Sequence, residues 1–188
     1  MPIPFRHEDE RDEWGTAAYL RLAPDPDRAG YRGALFQINA RGEPVEFTYN
    51  RVETPNSFLW RPADVRRAAL RRLTASLLAA CPQVPRVLFA LAAEAPSELF
   101  CQDLQVAIPV GRIAAGLETA GYSTLEVAEM LDQAEPVHLF WFPGPPLEGS
   151  PERALTGHLT AHGLLLEPFE RAAVGLAEVY GAADPVHP

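Results

Sequence analysis

Lysine is absent from the 188 residues, so every cationic side chain other than histidine is one of 16 arginines. That excludes a Walker A phosphate loop, a kinase strand lysine and pyridoxal-type Schiff-base chemistry, each of which needs a lysine amine. Cysteine is nearly absent too: Cys81 and Cys101 form no C-x-x-C metal or redox motif. Each stands beside an apolar run and is expected to be a buried packing residue. No apolar stretch approaches the roughly 18 to 20 residues of a membrane span. Nothing after Met1 resembles a signal peptide, so a cytoplasmic, reducing location is expected. Serines are few, and none stands in a G-x-S-x-G nucleophile motif. The glycines of VGRIAAG have the wrong spacing for a dinucleotide loop. No cofactor is implied.

What is present is a globular composition, 47% hydrophobic and 22% charged, rather than a disordered one. The bias toward Ala, Arg, Pro, Leu and Gly fits a GC-rich bacterial genome. Charge is polarised along the chain. Residues 1–94 carry 13 arginines against 12 carboxylates, and residues 95–188 carry 3 against 13. A global polyanion binder needs a basic excess, so any nucleic-acid contact is expected to be local.

Residues 1–13 read as a charged flexible arm, and residues 14–188 as a single α/β domain, with α+β the alternative. Residues 14–22 alternate and end at the turn-rich PDPDRAG, which predicts a strand. Residues 31–38 and 45–51 flank NARGEP and predict a hairpin, with Val45, Phe47 and Tyr49 on one face. Residues 52–61 read as an irregular connection whose Phe58 and Trp60 cover an edge of the core. Pro62 suits a first helical turn, and the stripe Val65, Ala69, Leu73, Leu77 and Ala80 predicts a helix over 62–80. Pro82 and Pro85 end it, and residues 86–92 predict a buried strand parallel to a neighbour.

A short helical piece is expected around 96–101, then a strand over 104–110 that Pro109 places near an edge. Ser123 and Glu126 form a capping-box pattern that predicts a helix over 124–133. Residues 137–142 predict a strand. Ser150-Pro151-Glu152 and Glu167-Pro168 open two final helices, ending near His162 and Gly181. The result is a mixed sheet with N-terminal strands, a central arginine-rich helix and C-terminal helices.

The element order over residues 14–110 resembles a ribonuclease H-like sheet. It equally resembles a profilin-like or roadblock-like sandwich, which also begins with a hairpin followed by a helix and strands, and both topologies stand at this stage. A ribonuclease H-like nuclease carries carboxylates on its first strand, its helix and the end of the following strand, where metal ions flank the scissile phosphate. Here that resemblance implies Asp64 and Glu94, with Glu53 as a third candidate. The first strand itself carries no acid.

Other candidates come from the residues alone. Arg66, Arg67, Arg71 and Arg72 project from one helix and suit phosphate or carboxylate pairing, with Trp60 close by for stacking. Pairing with carboxylates of the acidic half or of a second copy is the stronger expectation, and nucleic acid the weaker. Trp141 and Phe142, before a proline run, suit a docking ridge. His158 and His162 share a helix face at metal-ligand spacing but lack the glutamate of a metalloprotease motif, so no metal site is assigned. With no catalytic motif, the expected function is a non-catalytic protein-interaction or assembly subunit, acting with a protein partner or as a homo-oligomer. The alternative is a metal-dependent nuclease or phosphoesterase on a ribonuclease H-like core.

Overall fold

The computed structural model describes residues 13–55, 58–114, 121–131 and 137–181. Seven strands form one mixed sheet: β1 (Thr16–Pro24), β2 (Gly30–Asn39), β3 (Pro44–Glu53), β4 (Val87–Leu91), β5 (Val110–Ala114), β6 (Val127–Leu131) and β7 (Val137–Phe142). Their spatial order is β3-β2-β1-β4-β5-β7-β6. β1, β4 and β5 run parallel, and every other neighbouring pair is antiparallel. Helix α1 (Pro62–Ala80) covers one face of the sheet; α2 (Pro151–Ala161) and α3 (Glu167–Tyr180) cover the other. This is the ribonuclease H-like member of the two expected topologies.

Strand alternation divides the core in two. Leu20, Leu22, Leu35 and Leu88 pack against Leu70, Leu73 and Leu77 of α1. Tyr19, Phe36, Ile38, Phe89 and Trp141 pack against Leu155, Leu159, Phe169 and Ala172 of α2 and α3. Both faces of β1 and β4 are therefore apolar, as expected of central parallel strands. Helix starts follow the sequence signals. Pro62, Pro151 and Pro168 lie in first turns, where the lost N–H has no helical partner, and the Ser150 hydroxyl accepts the Arg153 amide.

Several expectations are corrected. The stretch 104–109 is irregular, and β5 begins after Pro109, inside the sheet between β4 and β7. Proline has no ladder donor, so pairing starts one residue later. The brief helix expected around 96–101 is present and continues as a π-helical turn, Leu99–Asp103. The helix expected over 124–133 is replaced by the edge strand β6; residues 132 and 133 lie outside the described residues. Half of the capping box does form, with the Ser123 amide donating to Glu126 Oε2 at 2.9 Å. However, the Glu126 carboxylate is also held by Arg112 of β5, at 2.6 and 2.8 Å, and that pair turns the chain toward the sheet. Cys81 and Cys101 are free and half-buried rather than buried. Except for Glu13, the charged arm lies outside the described residues.

The edge pair β6 and β7 is tied to α2 through one carboxylate. Glu129 accepts from Trp141 Nε1 at 2.7 Å and from Arg153 at 2.7 and 3.0 Å. Hydrogen bonding to Arg153, reinforced by Trp141, holds the Glu129 carboxyl below the usual carboxylate range despite partial burial. A carboxyl lowered by folding contributes stability above its unfolded value near 4.5 and loses it as pH falls through the folded value. Glu129→Gln is therefore expected to flatten the acid limb of the stability-versus-pH curve, measured by thermal unfolding from neutral to strongly acidic pH. An unchanged acid limb means that the bond network is absent in solution.

Candidate functional site

The parallel strands β1 and β4 point their carboxyl ends the same way, and the chain leaves them at Pro24 and in the turn 91–94. In open α/β sheets the crevice outside such ends is where ligands bind. Here it contains Glu94. Its Oε2 accepts the Leu22 amide at 2.9 Å, and its Oε1 lies 2.9 Å from Arg21 Nη2. Burial pushes the Glu94 carboxyl above the usual range, opposed by the Leu22 amide and then by Arg21. The hollow beside it holds about 300 Å³ and is lined by Leu22, Tyr31, Arg66, Leu70 and Glu94, among others. A neighbouring hollow of about 270 Å³ adds Asp64, Arg67 and Glu98. Arg66 and Leu70 border both.

Helix α1 thus forms one wall of the crevice. Its arginines do not behave alike. Arg67 reaches Asp103 at 2.7 and 2.8 Å and Gln102 at 3.1 Å, so one of the four pairs internally, as expected from the acidic half. Arg66, Arg71 and Arg72 are exposed and carry no ion pair among the described residues. On the other side of α1, Trp60 and Arg72 border a hollow of about 150 Å³ with Thr54, Pro55 and Val65. Phe58, Leu59 and Trp60 are 95, 81 and 59% exposed. They form a ridge into solvent instead of covering the core.

The three carboxylates drawn from the resemblance are not gathered. Glu94 is in the crevice, Asp64 binds Arg61 at the mouth (2.7 Å), and Glu53 leaves β3 and pairs with Arg28 at 3.1 Å. The β1 side chain beside Glu94 is Arg21, a cation. Among the described residues no three His, Cys, Asp or Glu side chains come close enough to hold a metal ion. Both Glu94 oxygens already have partners. Among the described residues the donor set therefore does not fit the two-metal arrangement of this fold class.

The remaining candidates are placed as follows. Trp141 is fully buried, its ring 6.0 Å from that of Phe89, and Phe142 is half-buried against the α1 side of the core. The docking ridge expected there is not on the surface, because β7 is covered on both faces. The His158 and His162 rings lie 4.0 Å apart between centroids, tilted by 33°, with Trp14 edge-on to His158 at 5.4 Å. His162 Nδ1 lies 2.8 Å from the His158 carbonyl. A hollow of about 500 Å³ lies at the opposite end of the sheet among Ile108, Pro109, Pro145 and Leu147. It is apolar apart from its rim, where Glu152 faces Arg86 at 3.3 Å.

Sheet order, parallel centre and helix placement define a ribonuclease H-like α/β fold. In particular, the chain is similar to the endonuclease V of Streptomyces avermitilis, with a TM-score of 0.55 and 15% identity over 95% of this chain and 97% of that one. Weaker likenesses, to the endonuclease V of Bacillus subtilis (TM-score 0.43, 15% identity, 79 and 73% covered) and the Argonaute of Marinitoga piezophila (0.36, 10%, 79 and 25% covered), add nothing to the fold assignment. No protein-family model matches the chain. No curated protein matches it in sequence. The expectation of a non-catalytic association subunit is corrected here, because the fold to which the chain is similar is that of a nuclease. Among the described residues no helix is long and apolar enough to cross a membrane.

Proposed function

We propose that this protein is a nuclease-like enzyme that binds nucleic acid across α1 and acts on its phosphodiester backbone in the crevice at the carboxyl ends of β1 and β4. The observation that carries this reading is Glu94. It is a half-buried carboxyl, raised by burial, at the exit of β4 and hydrogen-bonded to the exit of β1, in a fold similar to endonuclease V. A carboxyl raised toward neutrality is suited to take or give a proton. Arg21 beside it is suited to stabilise charge on a phosphoryl oxygen. Arg66, Arg71 and Arg72 supply unpaired guanidinium forks for backbone phosphates. Phe58 and Trp60 supply flat faces on which unpaired bases stack, so single strands are the preferred form.

Labelled single- and double-stranded DNA and RNA, incubated with the full-length protein, test this reading. Single strands are expected to bind at low salt, with affinity falling steeply as salt rises. The triple variant Arg66→Gln/Arg71→Gln/Arg72→Gln is expected to lose up to three phosphate contacts and to show a shallower salt dependence. Slow cleavage is expected in chelator as well as in magnesium or manganese. Neither binding nor cleavage of any of the four substrates at low salt overturns the proposal.

A further inference from the structure

Three arginines that the helix pattern did not bring to notice stand in one row on the opposite face of the sheet. Arg32 of β2 is directly opposite Arg51 of β3 and pairs with Ala23 of β1. Arg21 lies two residues before Ala23 on β1, so its side chain leaves from the same face, the one that buries Tyr19, Phe36 and Phe47 against α3. Directly opposed like charges on a sheet are unfavourable. This row needs a counter-charge.

The described structure supplies only part of one. Arg21 gives Nη2 to Glu94, but its Nε is buried without a partner. Arg51 lies over the Tyr180 ring, 5.1 Å from its centroid, with Tyr49 edge-on to that ring at 5.8 Å. Arg32 has neither: its Nε and Nη1 are both buried with no hydrogen-bond partner. Arg32 as a whole is half-buried, but burying two donors of its guanidinium without partners is costly. The acids facing the row are Glu94, committed to Arg21 and the Leu22 amide, and Asp25, a buried side chain whose Oδ1 takes the Asp27 amide at 3.1 Å. Three cations thus face two carboxylates, and none of the hydrogen bonds to those acids comes from Arg32. The Tyr180 phenol is held protonated by burial, opposed by Arg51, and so remains a hydroxyl donor at the edge of the row.

We infer that Arg32 and Arg51, with the Tyr180 hydroxyl beside them, form a phosphate-binding site on this face, across the sheet from the α1 arginines, with Arg21 standing between it and the Glu94 crevice. A tetrahedral oxyanion offers several acceptors to converging forks and neutralises the excess charge. The phosphate belongs either to a nucleic-acid strand or to a small phosphate compound. The inference rests on the nuclease reading only for the first of these sources.

Thermal unfolding and calorimetry of the full-length protein, with inorganic phosphate, with chloride at matched ionic strength, and with a short oligonucleotide carrying either a 5′-phosphate or a 5′-hydroxyl, test the site. Phosphate is expected to raise the melting temperature of the wild type and of Arg86→Gln, an arginine at the opposite end of the sheet, alike. Arg32→Met, which keeps the stem and removes the unpaired nitrogens, and Arg51→Gln are each expected to weaken phosphate binding about tenfold or more. Arg32→Lys, which keeps the charge and loses the fork, covers the case in which Arg32→Met does not fold, and is expected to fall between. Tighter binding of the 5′-phosphorylated strand, or displacement of either strand by inorganic phosphate, assigns the site to a strand; inorganic phosphate binding without competition assigns it to a small compound. A response to phosphate that is identical in the wild type, Arg51→Gln and whichever Arg32 variant folds overturns the inference, as does no response to phosphate or oligonucleotide at all. Phosphate binding without nucleic-acid binding leaves this site standing and removes the nuclease reading. Nucleic-acid binding together with a phosphate response that both variants leave unchanged does the reverse.

Discussion

Arg112→Ala is expected to destabilise the protein by about 3–5 kcal/mol, because it strands the Glu126 carboxylate in the core. Against a total stability of roughly 5–15 kcal/mol for a domain, that is a large share. Both side chains are buried, the Arg112 side chain completely. Arg112 Nε and Nη2 grip the two oxygens of Glu126, Nη1 donates to the Ala95 carbonyl at 3.0 Å, and the guanidinium lies 6.0 Å from the centre of the Phe140 ring. Glu126 in turn takes the Ser123 amide. One pair therefore ties the turn after β4, the strand β5 and the segment 123–126 together beneath the carboxyl end of the sheet. Replacing both partners with apolar residues, as in Arg112→Met with Glu126→Leu, is expected to cost less than either single change. Removing two charges together avoids leaving one unpaired. Urea unfolding of the two singles and the double measures the coupling. Single variants costing less than about 1 kcal/mol contradict a sealed ion pair.

The second large effect concerns activity. Glu94→Gln is expected to reduce cleavage about 100-fold or more, the usual contribution of a group that exchanges a proton in the transition state. Affinity for single strands is expected to be unchanged or tighter, since a negative charge leaves the crevice. Gln keeps an oxygen for the Leu22 amide, so the exit of β1 is preserved. Stability gives an independent readout. A carboxyl raised by folding binds its proton more tightly in the folded state, so stability falls as pH rises from the ordinary carboxylate value through the folded one. In Glu94→Gln that decline is expected to flatten. Undiminished cleavage by this variant removes Glu94 from the reaction, and an unchanged pH profile removes its burial.

The contrast with the usual chemistry of this fold class follows from one position. In the sheet, the β1 residue that meets the end of β4 is Arg21, and its guanidinium occupies the carboxylate that a metal ion needs. On the proposed reading, the Arg21 guanidinium beside the raised carboxyl takes the part of a metal in polarising a phosphoryl oxygen, while Asp64 and Glu53 pair with Arg61 and Arg28.

Helices were legible wherever a local signal starts or ends the element. Pro62 with the Val65, Ala69, Leu73, Leu77 and Ala80 stripe and Ser150-Pro151-Glu152 mark α1 and α2 within a residue of their observed bounds, although Ala80 is exposed and Leu70 is buried in the stripe instead. Alternation in 45–51 marks β3, and the apolar run 86–92 marks a central parallel strand. The failures share a cause. Ser123 and Glu126 have the spacing of a helix cap, yet Glu126 is captured by Arg112, 14 residues away. Phe58 and Trp60 suit a core edge by composition, and Trp141 suits a surface ridge by its proline neighbours, but the sheet buries the second and leaves the first two in solvent.

The missing lysine, the crowding of arginine into the first half and the helix that carries Arg66, Arg67, Arg71 and Arg72 are properties of the chain as a string, because composition and a 3.6-residue period need no partner to be read. Which arginines are already satisfied is not such a property. Arg67 finds Asp103, Arg112 finds Glu126 and Arg21 finds Glu94, while Arg32 meets Arg51 across a ladder. Those pairings depend on strand register and on loops brought together at one end of a sheet. The energy of a charge depends on what lies within a few ångströms of it, so the sites of this protein exist only once the fold has chosen its neighbours.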